Sequence, residues 1–254
     1  MKNVIIKIFV VITFVGMVIV NFLANSLPIN DRTTGEVSDA YPNLFSPAGL
    51  TFSIWGLIYI LLAGYVIYQF SKKAQKKGEL LTKVNIYFIA TSVANIAWIF
   101  AWHFELIGLS VLILGVLLFS LIRIADILRD AQLTLQDKLF VYTPFGAYFG
   151  WITVAAIANV TVFLVSIGWN GFGVAQYVWA MIILLVGAVI GVLRMQKDKN
   201  VVYGLVLIWA YVGILIKHIS ATGFGGQYPG VIITVIVCLT LFGFFVIRMI
   251  LKIK

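Results

Sequence analysis

The sequence predicts an all-α integral membrane protein of about eight transmembrane helices, and three observations carry that prediction. Of the 254 residues, 62% are hydrophobic, against about 45–50% in an ordinary soluble domain. Only 11% are charged, less than half the usual share of about 25%, so polar groups are too few to coat a water-soluble sphere. A cytosolic globular enzyme is thereby excluded, and so is a disordered chain. Finally, apolar stretches recur along the chain at about the 20-residue length a helix needs to cross hydrocarbon.

The spans follow in order. Val4–Leu27 is an apolar run flanked by Lys2 and Lys7; it resembles a signal peptide at its start but is too long for one. Pro47–Phe70 opens on a proline and stops before Lys72. Val84–Phe104 begins after Lys83 and is separated from Leu106–Leu128 by almost no connection. Leu139–Ile167 starts after Lys138, and Ala175–Met195 ends among Arg194, Lys197 and Lys199. Val201–Ile219 runs to a glycine-rich connection, Ser220–Tyr228, after which Pro229–Leu251 ends before Lys252.

An eight-span count fixes which connections share a side. Lys2, Lys7, Lys72, Lys73, Lys76, Lys77, Lys83, Arg123, Arg129, Lys138, Arg194, Lys197, Lys199, Arg248, Lys252 and Lys254 then fall on one face, and only Arg32 and Lys217 on the other. By the positive-inside rule this predicts a multi-pass protein of the cell membrane with both termini cytoplasmic. The net charge of +9 is thus explained by topology, and no nucleic-acid partner is expected.

Chemistry-bearing residues are few. Cys238 lies in an apolar run and reads as a buried small side chain. His103 and His218 fall near outer helix ends, where an imidazole reaches water, and lack partners at metal-ligand spacing. Asp126 sits between Arg123 and Arg129 at helical spacing, as an interfacial ion pair. Lys217, late in the seventh span, snorkels to the outer water, and no acidic counter-ion supports a Schiff-base role. Gly146 with Gly150, and Gly187 with Gly191, are small pairs at helical spacing that allow close helix approach. The first outer connection, Pro28–Ser46, is long and acidic and is expected to fold over the outer surface as a lid.

Aromatic and amide side chains inside the spans are harder to explain as solvation. Phe52, Trp55 and Tyr59 share one helix face; Asn95, Trp98 and Trp102 share another; Tyr148, Trp151, Ala155 and Asn159 form a third. Amides in hydrocarbon are costly without a partner. At 1.5 Å per residue, Trp55 lies about 12 Å below the outer start of its helix, Asn95 and Trp98 about 10–16 Å below the outer end of theirs, and Trp151 about 20 Å or more. The stripes are therefore placed to line one cavity beneath the first loop, or alternatively to serve as ordinary interhelical packing.

At these residues the chain resembles the tryptophan-rich sensory protein family, TspO, also called the translocator protein family. Ser46-Pro47-Ala48-Gly49 leads into Phe52 and Trp55-x-x-x-Tyr59; Asn95-Ile96-Ala97-Trp98 matches an N-x-x-W motif; Trp151-x-x-x-Ala155-x-x-x-Asn159 matches the fifth-helix segment. The resemblance covers about residues 1–165. It implies a TspO-like five-helix bundle over residues 1–168, with a three-helix extension over 169–254. It also implies a pocket at Trp55, Asn95, Trp98, Trp151 and Ala155 for porphyrins and other flat hydrophobic ligands. Some departures are visible: the proline near the fifth-helix tryptophan has moved to Pro144, and no sterol-recognition pattern follows the fifth span, since Val160–Val174 holds neither the tyrosine nor the basic residue.

Three readings of function result. The first is a membrane-embedded binding or sensory protein, its ligand-binding residues being Phe52, Trp55, Tyr59, Asn95, Trp98, Tyr148, Trp151, Ala155 and Asn159. The second is a small-molecule transporter, although no internal repeat is evident. The third is a light-dependent tetrapyrrole-degrading enzyme, which the resemblance suggests at Trp55 and Trp151. No catalytic residue, metal or obligatory cofactor is expected; porphyrin or haem enters as ligand. The expected partners are the lipid bilayer and a hydrophobic small molecule, with a homodimer left open.

Overall fold

A computed structural model describes residues 2–27 and 29–252. Pro28, where the lid was expected to begin, and Lys254 lie outside the described residues, as does the side chain of Lys2. Eight described helical segments are long and apolar enough to span a bilayer: α1 (Lys2–Ser26), α2 (Ile54–Tyr68, which reaches spanning length with the 3-10 turn Gly49–Ser53 ahead of it), α3 (Gly78–His103), α4 (Ile107–Arg129), α5 (Thr143–Ser166), α6 (Gln176–Asp198), α7 (Val201–Ile219) and α8 (Pro229–Lys252). No strand occurs among the described residues. Large apolar side chains are exposed along the spans, among them Ile12, Phe22, Ile60, Leu112, Val189 and Ile247. In water they would be a liability; in a bilayer they are the lipid-facing surface.

Two helix starts depart from the apolar runs, α3 beginning earlier and α5 later. Helix α3 starts at Gly78, because its first turn is a polar one in which Glu79 accepts a bond from Lys83 at 2.8 Å. Before α5, residues Lys138–Tyr142 form a π-helical turn in which the Thr143 N–H reaches back to the Lys138 carbonyl. Pro144 follows at the start of α5. Proline has no N–H to donate and its ring crowds the carbonyl four residues back; widening the turn ahead of it accommodates both effects.

Contacts between connections confirm the alternation of the spans. On the basic face, Lys7 Nζ donates to the Gln69 carbonyl at 2.6 Å. Lys77 lies 3.9 Å from Asp137, and Tyr142 donates to the Asp198 carbonyl. On the opposite face, Arg32 pairs with Glu105 at 2.8 Å and Lys217 lies 3.4 Å from Asp39.

Helix α7 packs along α5, α6 and α8, and the small residues explain how. A Cβ on Gly150 would stand 2.9 Å from the Tyr203 carbonyl oxygen, and one on Gly187 would stand 2.7 Å from the Tyr211 hydroxyl. Both expected small pairs therefore face α7, giving the close approach such pairs permit. The buried hydrophobic core is one continuous cluster from Val10 to Val246. The boundary expected near residue 168 falls in the connection between α5 and α6.

The histidines correct the sequence reading. His103 and His218 are both fully buried and do not reach water. His103 Nδ1 bonds the Ile99 carbonyl at 2.7 Å, and Nε2 faces Thr34 Oγ1 at 3.4 Å. His218 Nε2 bonds the Leu44 carbonyl at 2.9 Å. The loop between α1 and α2 folds onto these helix ends and covers them. Lys217, though near the surface, has an acidic partner in Asp39. Asp126 pairs with Arg129 and with Arg194 of α6, at 2.7 and 2.8 Å.

Candidate functional site

Four helices, α2, α3, α4 and α5, and one strap build the site. The strap is the loop between α1 and α2, whose short helix Thr34–Asp39 is fixed by a capping box: Thr33 accepts from the Glu36 N–H, and the Glu36 carboxylate accepts from the Thr33 N–H. That backbone bond, with the Thr33 hydroxyl and nearby Arg32, holds the Glu36 carboxyl below the usual carboxylate range. Trp102 Nε1 donates to the Thr34 carbonyl at 3.1 Å, and Asn30 Nδ2 donates to the His103 carbonyl at 3.0 Å. At the exposed rim, Glu105 accepts from both Arg32 and Tyr41, at 2.8 and 2.9 Å. Partial burial and the Glu105 carboxylate push the Tyr41 phenol up, so it remains a donor.

Beneath the strap is a cavity of about 50 Å³. Seven of the nine expected site residues line it: Phe52, Trp55, Asn95, Trp98, Trp151, Ala155 and Asn159. Tyr59 and Tyr148 do not reach it. They stand behind Trp55, with ring centroids 5.3 Å away and stacked for Tyr59, and 5.8 Å away and edge-on for Tyr148. The remaining wall includes Thr34 and Ser38 of the strap, Ser46 and Pro47 at its end, Trp102, Leu114 of α4 and further apolar residues of α5 such as Ala158. The sequence places the loop over the cavity as a lid but singles out none of its lining residues, nor Leu114 of α4. A helix without polar or aromatic periodicity, such as α4 at Leu114, gives no signal in one sequence.

The rings meet edge to face, the favoured aromatic geometry. Trp151 lies 5.8 Å from Phe52 at 83° and 6.2 Å from Trp55 at 80°. Trp98 and Trp102 stack at 5.3 Å. The amides are mostly committed elsewhere. Trp98 Nε1 donates to Asn159 Oδ1 at 2.8 Å, and Asn159 Nδ2 donates to Ser110 at 2.9 Å. Asn95 Oδ1 accepts from Asn21 Nδ2 of α1 at 2.6 Å, a partner whose only sequence signal is an amide inside an apolar span. One donor differs: Trp151 Nε1 is buried and has no partner. The lining carries no formal charge, and no metal-ligating cluster occurs among the described residues.

Fold and site together define a polytopic helical membrane protein with an uncharged, tryptophan-lined chamber covered by a strap on the face opposite the basic one. More particularly, the family model for TSPO-like proteins matches residues 7–248, and the chain belongs to that family. The match runs through all eight spans, beyond the first five to which the motifs extend. Comparisons with curated proteins and with solved structures found no match.

Proposed function

We propose that this protein is an intramembrane binding or sensory protein that holds a flat hydrophobic ligand, such as a porphyrin, in the tryptophan chamber. The observation that carries the reading is the unpartnered Trp151 Nε1. Buried polar groups are satisfied in the great majority of cases, and leaving one unmade costs about 1–3 kcal/mol. A donor left free in an apolar chamber, flanked by the edge-on rings of Phe52 and Trp55, is suited to a planar guest with an acceptor. The aromatic rings supply stacking area, and the bonded amides of Asn95 and Asn159 hold the walls.

Size adds a condition. A water's share of liquid volume is about 30 Å³, so the closed cavity of about 50 Å³ has room for one or two waters. Ligand pockets run to about 300–1,000 Å³. A porphyrin therefore enters only if the strap lifts and the partly exposed Phe52 and Trp55 rings turn aside. The basic face is proposed as cytoplasmic by the positive-inside rule, which puts the strap and chamber mouth on the outer side.

Titration of protoporphyrin into the purified protein, followed by tryptophan fluorescence, tests this. Saturable quenching that weakens at least tenfold in Trp151→Phe supports the chamber. Quenching unchanged by that substitution overturns it. Gradient-driven uptake into proteoliposomes would instead indicate transport, and light-dependent loss of the porphyrin band would indicate degradation.

A further inference from the structure

Helix α5 is a wall with a hollow on each side. Trp151, Ala155, Ala158 and Asn159 turn toward the chamber, whereas Thr153, Ala156, Ile157 and Val160 line a groove against α6. That groove has a volume of about 530 Å³, some ten times the chamber. Its outer end is roofed by Asn43–Phe45 of the strap and by the turn Trp169–Gly171. The roof is well made: Trp179 Nε1 donates to the Gly171 carbonyl at 2.9 Å, and the Trp169 and Trp179 rings lie 5.1 Å apart.

Three features identify the occupant. The groove is open to the bilayer, because Val160, Val186 and Ile190 along it are exposed positions of membrane-spanning helices. Its lining carries no charged side chain, and the Thr153 and Thr161 hydroxyls are spent on the Phe149 and Ile157 carbonyls. The amides that border it at the strap end are Gln176 and Asn170, whose Oδ1 accepts from the Phe172 N–H at 3.0 Å and leaves its Nδ2 to donate; they adjoin the Trp169 and Trp179 indoles, which suit the headgroup boundary. Helix interfaces close down to voids of about a water, so a gap of this size between two apolar walls is a space for something else.

We propose that the groove binds a single-chain lipid with an uncharged polar end. The polar end lies by Asn170 and Gln176, and the hydrocarbon chain descends between α5 and α6 toward Leu118 and Ile190. From Gln176 to Ile190 the α6 wall measures about 21 Å at 1.5 Å per residue, the reach of a chain of about 16 carbons. An anionic head finds no cation in this lining, and a water-borne ligand finds no aqueous entrance at its exposed side. This site is separate from the chamber, and its occupancy does not depend on the function proposed above.

The test uses the purified full chain in detergent and 9,10-dibromostearoyl monoglyceride, whose bromines quench nearby indoles. Quenching is expected to saturate near one lipid per chain and to be reversed by monoolein. It should fall at least tenfold in affinity in Ala156→Phe and in Ala180→Phe, which fill the groove from opposite walls. Dibromostearate at pH 8 should bind at least tenfold more weakly. Quenching that rises linearly with lipid fraction, or that monoolein does not reverse, overturns the site. So does quenching that both phenylalanine variants leave intact, and equal binding of dibromostearate overturns the uncharged end. Trp151→Phe should weaken protoporphyrin quenching and leave dibromolipid quenching in place, and Ala156→Phe should do the reverse, so the two readings fail separately.

Discussion

Trp98 and Trp151 border the same cavity, yet one indole N–H is bonded and the other is not: Trp98 Nε1 meets Asn159 Oδ1 at 2.8 Å, while Trp151 Nε1 meets nothing. The difference separates an indole N–H spent on holding two helices together from one that holds nothing. Asn159→Leu strands the Trp98 N–H, whereas the Ser110 hydroxyl keeps its bond to the Ile107 carbonyl at 2.7 Å. Leaving that buried donor unpaired should lower stability by about 1–3 kcal/mol. Trp151→Phe removes a donor already unpaired, so relief of that penalty offsets much of the lost ring area, and the change should stay within about 1 kcal/mol. Thermal unfolding in detergent checks the order: Asn159→Leu must fall well below Trp151→Phe.

The strap makes a kinetic prediction. Arg32 and Glu105 are exposed at the rim, with Tyr41 half-buried beside them, and exposed pairs contribute about 0–1 kcal/mol. Glu105→Ala should therefore leave the unfolding temperature nearly unchanged while speeding amide exchange across residues 29–46. Ligand association should rise severalfold, with 0.5 M salt mimicking part of the effect. Slower exchange in the variant, or no change in association, contradicts a gating role.

Acidity acts on the strap through Glu36. Its carboxyl is held below the usual range chiefly by the Thr33 backbone N–H. A lowered folded value means that its contribution is present above the ordinary carboxylate pKa and is lost as pH falls through the folded one. Exchange protection of the helix Thr34–Asp39 should accordingly drop below about pH 4. In Glu36→Gln that pH dependence should disappear. A drop centred near neutrality would point to another group.

On the basic face, Arg194 binds Asp126 and Asp198 at 2.8 and 2.6 Å, and Arg129 lies 3.4 Å from Asp198. The Asp198 side chain is only 4% exposed, so this cluster joins α4 and α6 at a place where charge is expensive. Arg194→Met should cost about 3–5 kcal/mol by leaving buried carboxylate charge poorly compensated. Arg194→Met with Asp198→Leu should recover most of that loss. A double variant as unstable as the single one would show that the arginine acts through its packing on Phe149, 5.1 Å from the guanidinium.

The architecture was legible because a bilayer imposes length and charge rules that survive in one sequence. Apolar runs marked all eight spans, and Lys77, Arg129 and Arg194 marked the face they share. Seven residues of the chamber were legible because tryptophans and amides at helical spacing are conspicuous in hydrocarbon. The roles of His103 and His218 were not, since their burial depends on where a loop distant in sequence comes to rest. Tyr59 and Tyr148 share helix faces with the chamber residues but stop one layer behind, a distinction made by packing depth that periodicity does not encode. The groove between α5 and α6 is an absence of contact, and alanines such as Ala156 and Ala180 announce it only weakly.

Gly150 links the second half of the chain to the chamber. A Cβ there would lie 2.9 Å from the Tyr203 carbonyl oxygen and 3.0 Å from Val206 Cβ, and neither backbone nor branched carbon yields cheaply. Helix α7, pressed against α5 at this point, also holds the chamber's approaches. Its Trp209 Nε1 donates to the Thr51 carbonyl at 2.9 Å, its Gly213 carbonyl accepts from the Ala48 N–H at 3.0 Å, and His218 bonds the Leu44 carbonyl. Gly150→Ala should cost about 1–3 kcal/mol through overpacking. Because the displaced helix carries those anchors, amide exchange should accelerate at residues 43–53 as well as at the site of substitution. Gly243→Ala, on α8 with open space at the added carbon, should change neither quantity. If Gly150→Ala loosens α7 while exchange at 43–53 stays at its original rate, the strap is anchored by α3 alone.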